Sequence, residues 1–366
     1  MKHQRCQCGR FEYCIPQKCL LGLKIKKRGS SDRRLGRFGK LQDDLHQSNS
    51  TIQTQVNQLT AKSIISTNQS PDIPWSKTLN PYIGCEHGCV YCYARPTHAY
   101  YDLSPGLDFE TKLFAKTNAA DILRETLSHR RYVPTTIGLG TNTDCYQPIE
   151  RRYQITRSVL SVLNDFRHPV SVLTKNSLIE RDIDILQQLS AHNLVEVHFT
   201  ITTLNNQLAK RLEPRASLPK ERLATIEKLA AAGIPVQAMM SPVIPGLNDT
   251  EMETIMTAAK QAGATSMGYI LLRLPYEVEG LFSDWLDANY PDKKAMILDT
   301  MASYRPEDSA LDYFETRMNG SGDAAIKLET HFLHLFNQLN FTPLSSDDLD
   351  HTLFTRRFGA IQQELF

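Results

Sequence analysis

Short apolar runs alternate with stretches in which apolar residues recur every three or four positions, and the alternation is regular from about residue 119 onward. Residues 137–144, 170–175, 194–203, 236–242 and 266–274 read as strands, and Tyr82 and Ile83, leading into a cysteine-rich loop, add a sixth. Between them lie helical stripes: Ile155, Val159, Val162 and Phe166 form one, and Ile179, Ile183 and Leu186 another. A further helix is expected around residues 119–129. Ser177 with Glu180 has the pattern of a capping box, Pro219 suits a first helical turn, and Gly233 and Gly263 suit C-terminal caps. Strand and helix alternating this strictly imply right-handed βαβ units around a parallel sheet, an α/β fold. Residues 42–70, rich in Gln, Asn, Ser and Thr, read as mostly linker, so the core is expected to begin near Ile73. The expected division is a basic, largely disordered arm and linker (1–70), a core (71–276), a helical extension (277–340) with its last helix at about 323–339, and a flexible tail (341–366).

Active sites of parallel barrels collect at the carboxyl ends of the strands. The polar residues there are Thr141, Asn142, Thr143 and Asp144, then Thr174, Lys175 and Asn176, then Thr200, Thr202 and Thr203, and finally Asn248 and Asp249 after Pro245-Gly246-Leu247. Several are of the types that hold a charged amino acid and a ribose. Asn248 or Thr250, with Glu251 or Glu253 nearby, would equally serve as helix caps. Lys175 stands out as a lone cation at a strand end that needs an anionic partner.

The chain has 366 residues, 41% of them hydrophobic, enough for a sizeable core in one large domain with extensions. No apolar run approaches a membrane span, and residues 1–6 lack a signal peptide's apolar core, so a cytoplasmic location with reduced thiols is expected. The net charge of +1 hides an asymmetry: residues 1–40 carry twelve Lys and Arg against Glu12 and Asp32, and the remainder is net −9. Such an arm suits phosphates, and equally a solvated tail. Cys6, Cys8, Cys14 and Cys19 match no ligand spacing, and residues 1 to about 23 are set aside as a segment not expected in the mature protein.

The candidate chemistry lies in residues 84–95, G-C-E-H-G-C-V-Y-C-Y-A-R. Cys85, Cys89 and Cys92 on so short a loop can each hold a different iron of one cuboidal cluster. Such clusters normally take four cysteines, so three leave one iron open for another ligand, and chemistry would occur there. A zinc knuckle that adds His87 or His98 is the alternative, although structural zinc sites usually pair two ligand pairs and no second pair lies at a suitable distance.

The C-x3-C-x2-C spacing, with an aromatic residue before the third cysteine, resembles the signature of the radical SAM superfamily. That resemblance implies a partial (β/α)6 TIM-like barrel, a 4Fe-4S cluster, and S-adenosyl-L-methionine bound to the open iron and cleaved to a 5′-deoxyadenosyl radical, with a one-electron donor such as flavodoxin or ferredoxin. Narrower still, C-V-Y-C-Y followed by T-N-T-D, L-T-K, T-I-T-T and V-I-P-G-L-N-D over residues 72–275 resembles the spore photoproduct lyase group and its DNA-repair-photolyase-like relatives. A weaker likeness continues through residues 313–318. Carried over, it implies that Cys85, Cys89 and Cys92 bind the cluster and that Tyr91 lies beside the adenine. Lys175 would pair with the methionyl carboxylate, Thr202 or Thr203 would reach the ribose, Ile244 would pack on the adenine, and Thr141 and Asp144 would belong to the cofactor pocket. Spore photoproduct lyases carry a hydrogen-donating cysteine in C-T-S-D, where this chain has Thr141-Asn142-Thr143-Asp144, which puts that repair reaction in doubt. Tyr93 and Cys145, both expected near the mouth, are the candidate hydrogen donors.

Three readings follow: a radical SAM enzyme acting on nucleic acid, one acting on transfer RNA or a protein, and a non-enzymatic nucleic-acid-binding protein whose barrel is stabilised by metal. Selectivity between base and side chain depends on pocket shape. At the other end of the chain, Gln362, Leu365 and Phe366 form Q-x-x-L-F, which resembles the peptide that docks bacterial repair proteins into the sliding clamp. An exposed Leu-Phe pair is readily explained as an anchor.

Overall fold

β-Branched and aromatic side chains dominate the apolar runs, and a parallel sheet buried on both faces is where such runs are stable. The computed structural model describes residues 28–30, 34, 36, 52–305, 314 and 316–356. Among these are ten strands: β1 (Gln55–Leu59), β2 (Ile65–Thr67), β3 (Lys77–Leu79), β4 (Tyr82–Ile83), β5 (Lys112–Lys116), β6 (Ile137–Leu139), β7 (Val170–Thr174), β8 (Val195–Thr200), β9 (Val236–Val243) and β10 (Ser266–Leu271). The large sheet has the order β10-β9-β8-β7-β6-β3-β2, and its six strands from β3 to β10 run parallel. It is open at both edges, an α/β partial barrel as expected. Helices Ile155–Asp165, Ile183–Ser190, Pro219–Ala231 and Met252–Gln261 follow successive strands, and Val170, Val197 and Val236 are fully buried beneath them. No helix among the described residues is long and apolar enough to cross a membrane.

The sixth parallel strand is not the one expected. Tyr82 and Ile83 pair antiparallel with β5 in a separate three-stranded sheet, β1-β5-β4, and the barrel begins at β3 instead. Pro81, lacking an amide donor, separates the two strands, and the Asn80 side chain holds the turn by accepting the amide of Asn142 at 2.8 Å. The stretch 42–70 is not linker throughout, since it contains β1 and β2. β1 is an edge strand with Gln55, Asn57 and Gln58 exposed, and that polar face gives it the composition of a linker. The strand expected at 137–144 stops at Leu139 because Gly140 turns at φ +87°, where a Cβ would lie 2.6 Å from the Leu173 carbonyl.

The cap expected at Ser177 is supplied by Asn176, whose side chain accepts the Leu178 amide at 2.9 Å, while Glu180 turns to Thr225 and Lys228. Pro219 does open its helix, and Gly233 and Gly263 take positive φ after theirs. Beyond the barrel come helices Glu277–Asn289, Lys294–Ser303 and Gly322–Gln338. The first part of the expected flexible tail is packed instead: Phe341 and Leu349 are buried, Phe354 lies against Tyr132, Phe166 and His168, and Arg356 donates to the Tyr132 carbonyl. Gln362, Leu365 and Phe366 lie outside the described residues, as do Cys6, Cys8, Cys14 and Cys19.

Part of the basic arm is also docked. Arg28 donates to the carbonyls of Glu110 and Ile52 at 2.9 Å each, and the amides of Gly29 and Ser30 donate to the Glu110 carboxylate at 2.9 and 2.8 Å. A Cβ on Gly29 would lie 1.7 Å from the carbonyl oxygen of Gly88, so the segment rests directly on the cysteine loop. The same carboxylate takes the Arg95 guanidinium at 2.6 Å, with both side chains fully buried. Glu110→Ala would leave Arg95 buried and unpaired, and we expect it to cost about 3–5 kcal/mol in urea denaturation. An unmoved denaturation midpoint would contradict this.

Candidate functional site

The cysteine loop starts at Gly84, whose φ of +76° and near contacts with Leu113, His98 and Phe109 admit no side chain without displacement. Backbone and buried side chains then fix it at each step. The Cys85 amide donates to the Phe109 carbonyl at 2.9 Å, that of Glu86 to the Gln147 side chain at 2.9 Å, and that of Val90 to the Leu212 carbonyl at 3.1 Å. Arg95 Nε donates to the Cys89 carbonyl at 2.8 Å. Cys85 and Cys89 are buried and Cys92 is half-buried.

Burial raises all three thiols above their ordinary range, Cys89 to about 12, and at Cys85 the charges of Asp144 and the other two cysteines add to it. Such thiols keep their protons in water and release them to a bound metal. Among the described residues, no three His, Cys, Asp or Glu side chains converge where a single ion could sit. Two buried thiols and a half-buried one on a single loop suit a polynuclear iron-sulfur body, which takes one thiolate on each of three irons, better than zinc, whose ligands crowd one centre at about 2.0–2.3 Å. The two candidate zinc histidines are engaged elsewhere. His98 Nε2 lies 2.9 Å from the Lys112 carbonyl, and burial pushes the ring's pKa down to about 4. His87 Nε2 lies 2.9 Å from Asn176 Nδ2, and its Nδ1 is 3.3 Å from Asp144, close but not aligned as a hydrogen bond.

Lys175 is not a lone cation. Its Nζ donates to Glu213 Oε1 and to the Tyr91 hydroxyl at 2.9 Å each. Glu213, fully buried, also accepts from Tyr91, from Thr202 Oγ1 at 2.8 Å, and from Arg222. Burial alone would raise its carboxyl; the charges of Arg222 and Lys175 outweigh that and hold it well below the usual carboxylate range. Burial likewise opposes the Lys175 charge, but the Glu213 carboxylate beside it helps to hold the lysine well above its ordinary range. Tyr91, Lys175 and Thr202 thus converge on a carboxylate that the motifs do not point to. The requirement for an anion beside Lys175 is the signal for it, and Glu213 meets that requirement from within the chain. Ile244 is fully buried and packs in one cluster with Cys89, Val90 and Tyr91.

The remaining candidates hold the frame. Asp144 accepts from Thr174 Oγ1 at 2.7 Å and from the Lys175 amide at 3.1 Å, tying the loop after β6 to the end of β7. Thr203 Oγ1 donates to Glu251 at 2.6 Å, away from Glu213. Asn248 is a buried clip and not a helix cap, accepting the Ile244 amide at 2.6 Å and donating to the Thr202 carbonyl at 2.7 Å. Cys145 is not at the mouth: it is 0% exposed within the main core, with Sγ 3.6 Å from the Leu173 carbonyl, because the turn at Gly140 directs it inward. Tyr93 differs, being 45% exposed, with its hydroxyl donating to the Thr141 carbonyl.

Residues 79–259, which contain all three cysteines, match the family model described as the Radical SAM superfamily. The chain belongs to the radical SAM superfamily. An uncharacterised protein of Methanocaldococcus jannaschii is 30% identical over 70% of this radical SAM chain and 90% of its own length. An uncharacterised protein of Mycobacterium tuberculosis is 36% identical over 60% of this chain, and the match spans 65% of that relative's length. Among solved structures, spore photoproduct lyase complexed with dinucleoside spore photoproduct aligns with a TM-score of 0.52 at 16% identity, covering 78% of this chain and 79% of that one, a likeness of fold. Membership makes the chain an enzyme, which sets aside the non-enzymatic scaffold, and its cofactors are the 4Fe-4S cluster and S-adenosylmethionine of the superfamily. We expect Lys175→Ala to keep the cluster and to weaken S-adenosylmethionine binding by roughly 1.5–3 kcal/mol, read by calorimetric titration of the reconstituted protein. Equal affinity would leave Lys175 as a counter-ion to Glu213 alone.

Proposed function

We propose that this radical SAM enzyme abstracts a hydrogen atom from a nucleic-acid substrate, in the manner of the DNA-repair-photolyase-like group. When bound, the cluster and S-adenosylmethionine supply a 5′-deoxyadenosyl radical by one-electron reductive cleavage. Cys85, Cys89 and Cys92 would hold the cluster. Tyr91, Ile244, Thr202 and Lys175 would form the wall that receives the cofactor, with Asp144, Thr141 and Thr203 bracing the loops behind them.

The observation that carries the substrate reading is Tyr93. It follows the last cluster cysteine directly, keeps 45% of its surface open, and is tethered through its hydroxyl to the Thr141 carbonyl. A fixed, exposed aromatic ring beside the reactive centre is a stacking platform for a base, an interaction worth about 1–3 kcal/mol. Its phenol, held by that hydrogen bond, is the one remaining candidate hydrogen donor of the two. The likeness of fold to a lyase solved with a dinucleoside photoproduct supports the same reading. A flavodoxin or ferredoxin would deliver the electron, and the terminal Gln362, Leu365 and Phe366 would tether the enzyme to the sliding clamp.

Anaerobic reconstitution, reduction with dithionite and an assay for 5′-deoxyadenosine test this reading. S-adenosylmethionine cleavage is expected without substrate and should rise several-fold on addition of DNA. A rise with transfer RNA or with protein alone would move the substrate to that class, and no rise with any nucleic acid would contradict the proposal.

A further inference from the structure

Three guanidinium groups gather past the carboxyl end of β10. Arg305 donates to the carbonyls of Thr316 at 3.1 Å, Arg317 at 3.0 Å and Leu272 at 3.4 Å. Arg317 is paired with Asp72, at 2.5 Å from Nη2 to Oδ1. The segment that carries it is anchored to β10 through the Leu271 amide, which donates to the Met318 carbonyl at 2.7 Å. Arg273, two residues beyond β10, is different. It is half-buried, its guanidinium lies 4.9 Å from the centre of the Tyr93 ring, and it has no carboxylate or carbonyl partner among the described residues. Asp72, whose charge also acts on this group, is already held by Arg317.

We propose that Arg273 is the anchor for a phosphodiester of the substrate, a subsite that rests on the nucleic-acid reading above. Buried or half-buried charges are normally paired, and this one faces two like charges and an aromatic ring. Burial and Arg317 lower its pKa by more than Tyr93 and Asp72 raise it, so the arrangement leaves its charge under-compensated and an anion relieves it. Its planar fork of five donors matches two phosphate oxygens at once. The chemistry is also local, because residues 41–366 are net −9 and would otherwise repel a polyanion. Tyr93 to stack a base and Arg273 to take its phosphate place both halves of a nucleotide beside the last cluster cysteine.

The test is fluorescence anisotropy of a fluorescein-labelled single-stranded DNA oligonucleotide with the reconstituted full chain. Arg273→Ala, Arg273→Lys and the surface control Arg124→Ala are compared across a salt series, and cluster absorbance is recorded for each. Arg273→Ala should weaken binding about tenfold. It should also reduce the slope of log K against log salt by about 0.7. Arg273→Lys should lose less, and Arg124→Ala nothing. Should the Ala variant lose its cluster, Arg273→Gln takes its place. Equal binding by parent and Arg273 variants would overturn the anchor while leaving the nucleic-acid reading intact. A parent that binds an acidic peptide and no oligonucleotide would overturn both. Loss of S-adenosylmethionine affinity with DNA binding retained would assign Arg273 to the cofactor carboxylate and overturn the proposal.

Discussion

A carboxylate buried without a counter-charge costs several kcal/mol, and the cysteine loop is held between two buried carboxylates. Behind it, Glu110 takes Arg95 and the amides of Gly29 and Ser30. In front, Glu213 takes Lys175, Arg222, Tyr91 and Thr202. Each carboxylate reaches the loop through a group it neutralises or orders: Arg95 donates onward to the Cys89 carbonyl, and Tyr91 is a loop residue itself. The loop therefore cannot shift without separating a buried charge from its partner. That is the rigidity a site needs if three thiolates are to meet a cluster in one geometry.

The same constraint sorts the two tyrosines of C-V-Y-C-Y. Tyr91 is drawn into the carboxylate network and buried, whereas Tyr93, two residues on, has only a backbone carbonyl to satisfy and stays open at the mouth. One tyrosine thus belongs to the frame and the other is left for substrate. Docking of residues 28–30 against Gly88 extends the frame to a part of the chain far from the barrel in sequence. Charge in that basic stretch has a structural use at Arg28 before any nucleic acid is considered.

Much of this was legible from local pattern. The four longer parallel strands and the short, fully buried Ile137–Leu139 are apolar runs that nothing but a buried sheet explains, and three cysteines close together on one loop admit few chemistries. What escaped depended on direction or on distant partners. Lys77–Leu79 carries one buried apolar residue, so the apolar pair Tyr82–Ile83 drew attention away from the true first strand. β1 was hidden by its solvent-facing polar side. Cys145 lies near a strand end, but position along a strand does not tell where a side chain points after a glycine turn. Glu213 and Arg222 meet Lys175 only in space, and Arg273 sits in L-L-R-L-P, where the surrounding leucines read as strand.

The central claim is that Cys85, Cys89 and Cys92 hold a cluster whose remaining iron is open to S-adenosylmethionine. Electron paramagnetic resonance of the anaerobically reconstituted, reduced protein, recorded with and without S-adenosylmethionine, tests it most directly. The account expects about four irons per chain, a signal whose shape changes when S-adenosylmethionine is added, and loss of that signal in Cys89→Ala. A spectrum indifferent to S-adenosylmethionine, or a protein that takes up one zinc and no iron, would contradict it.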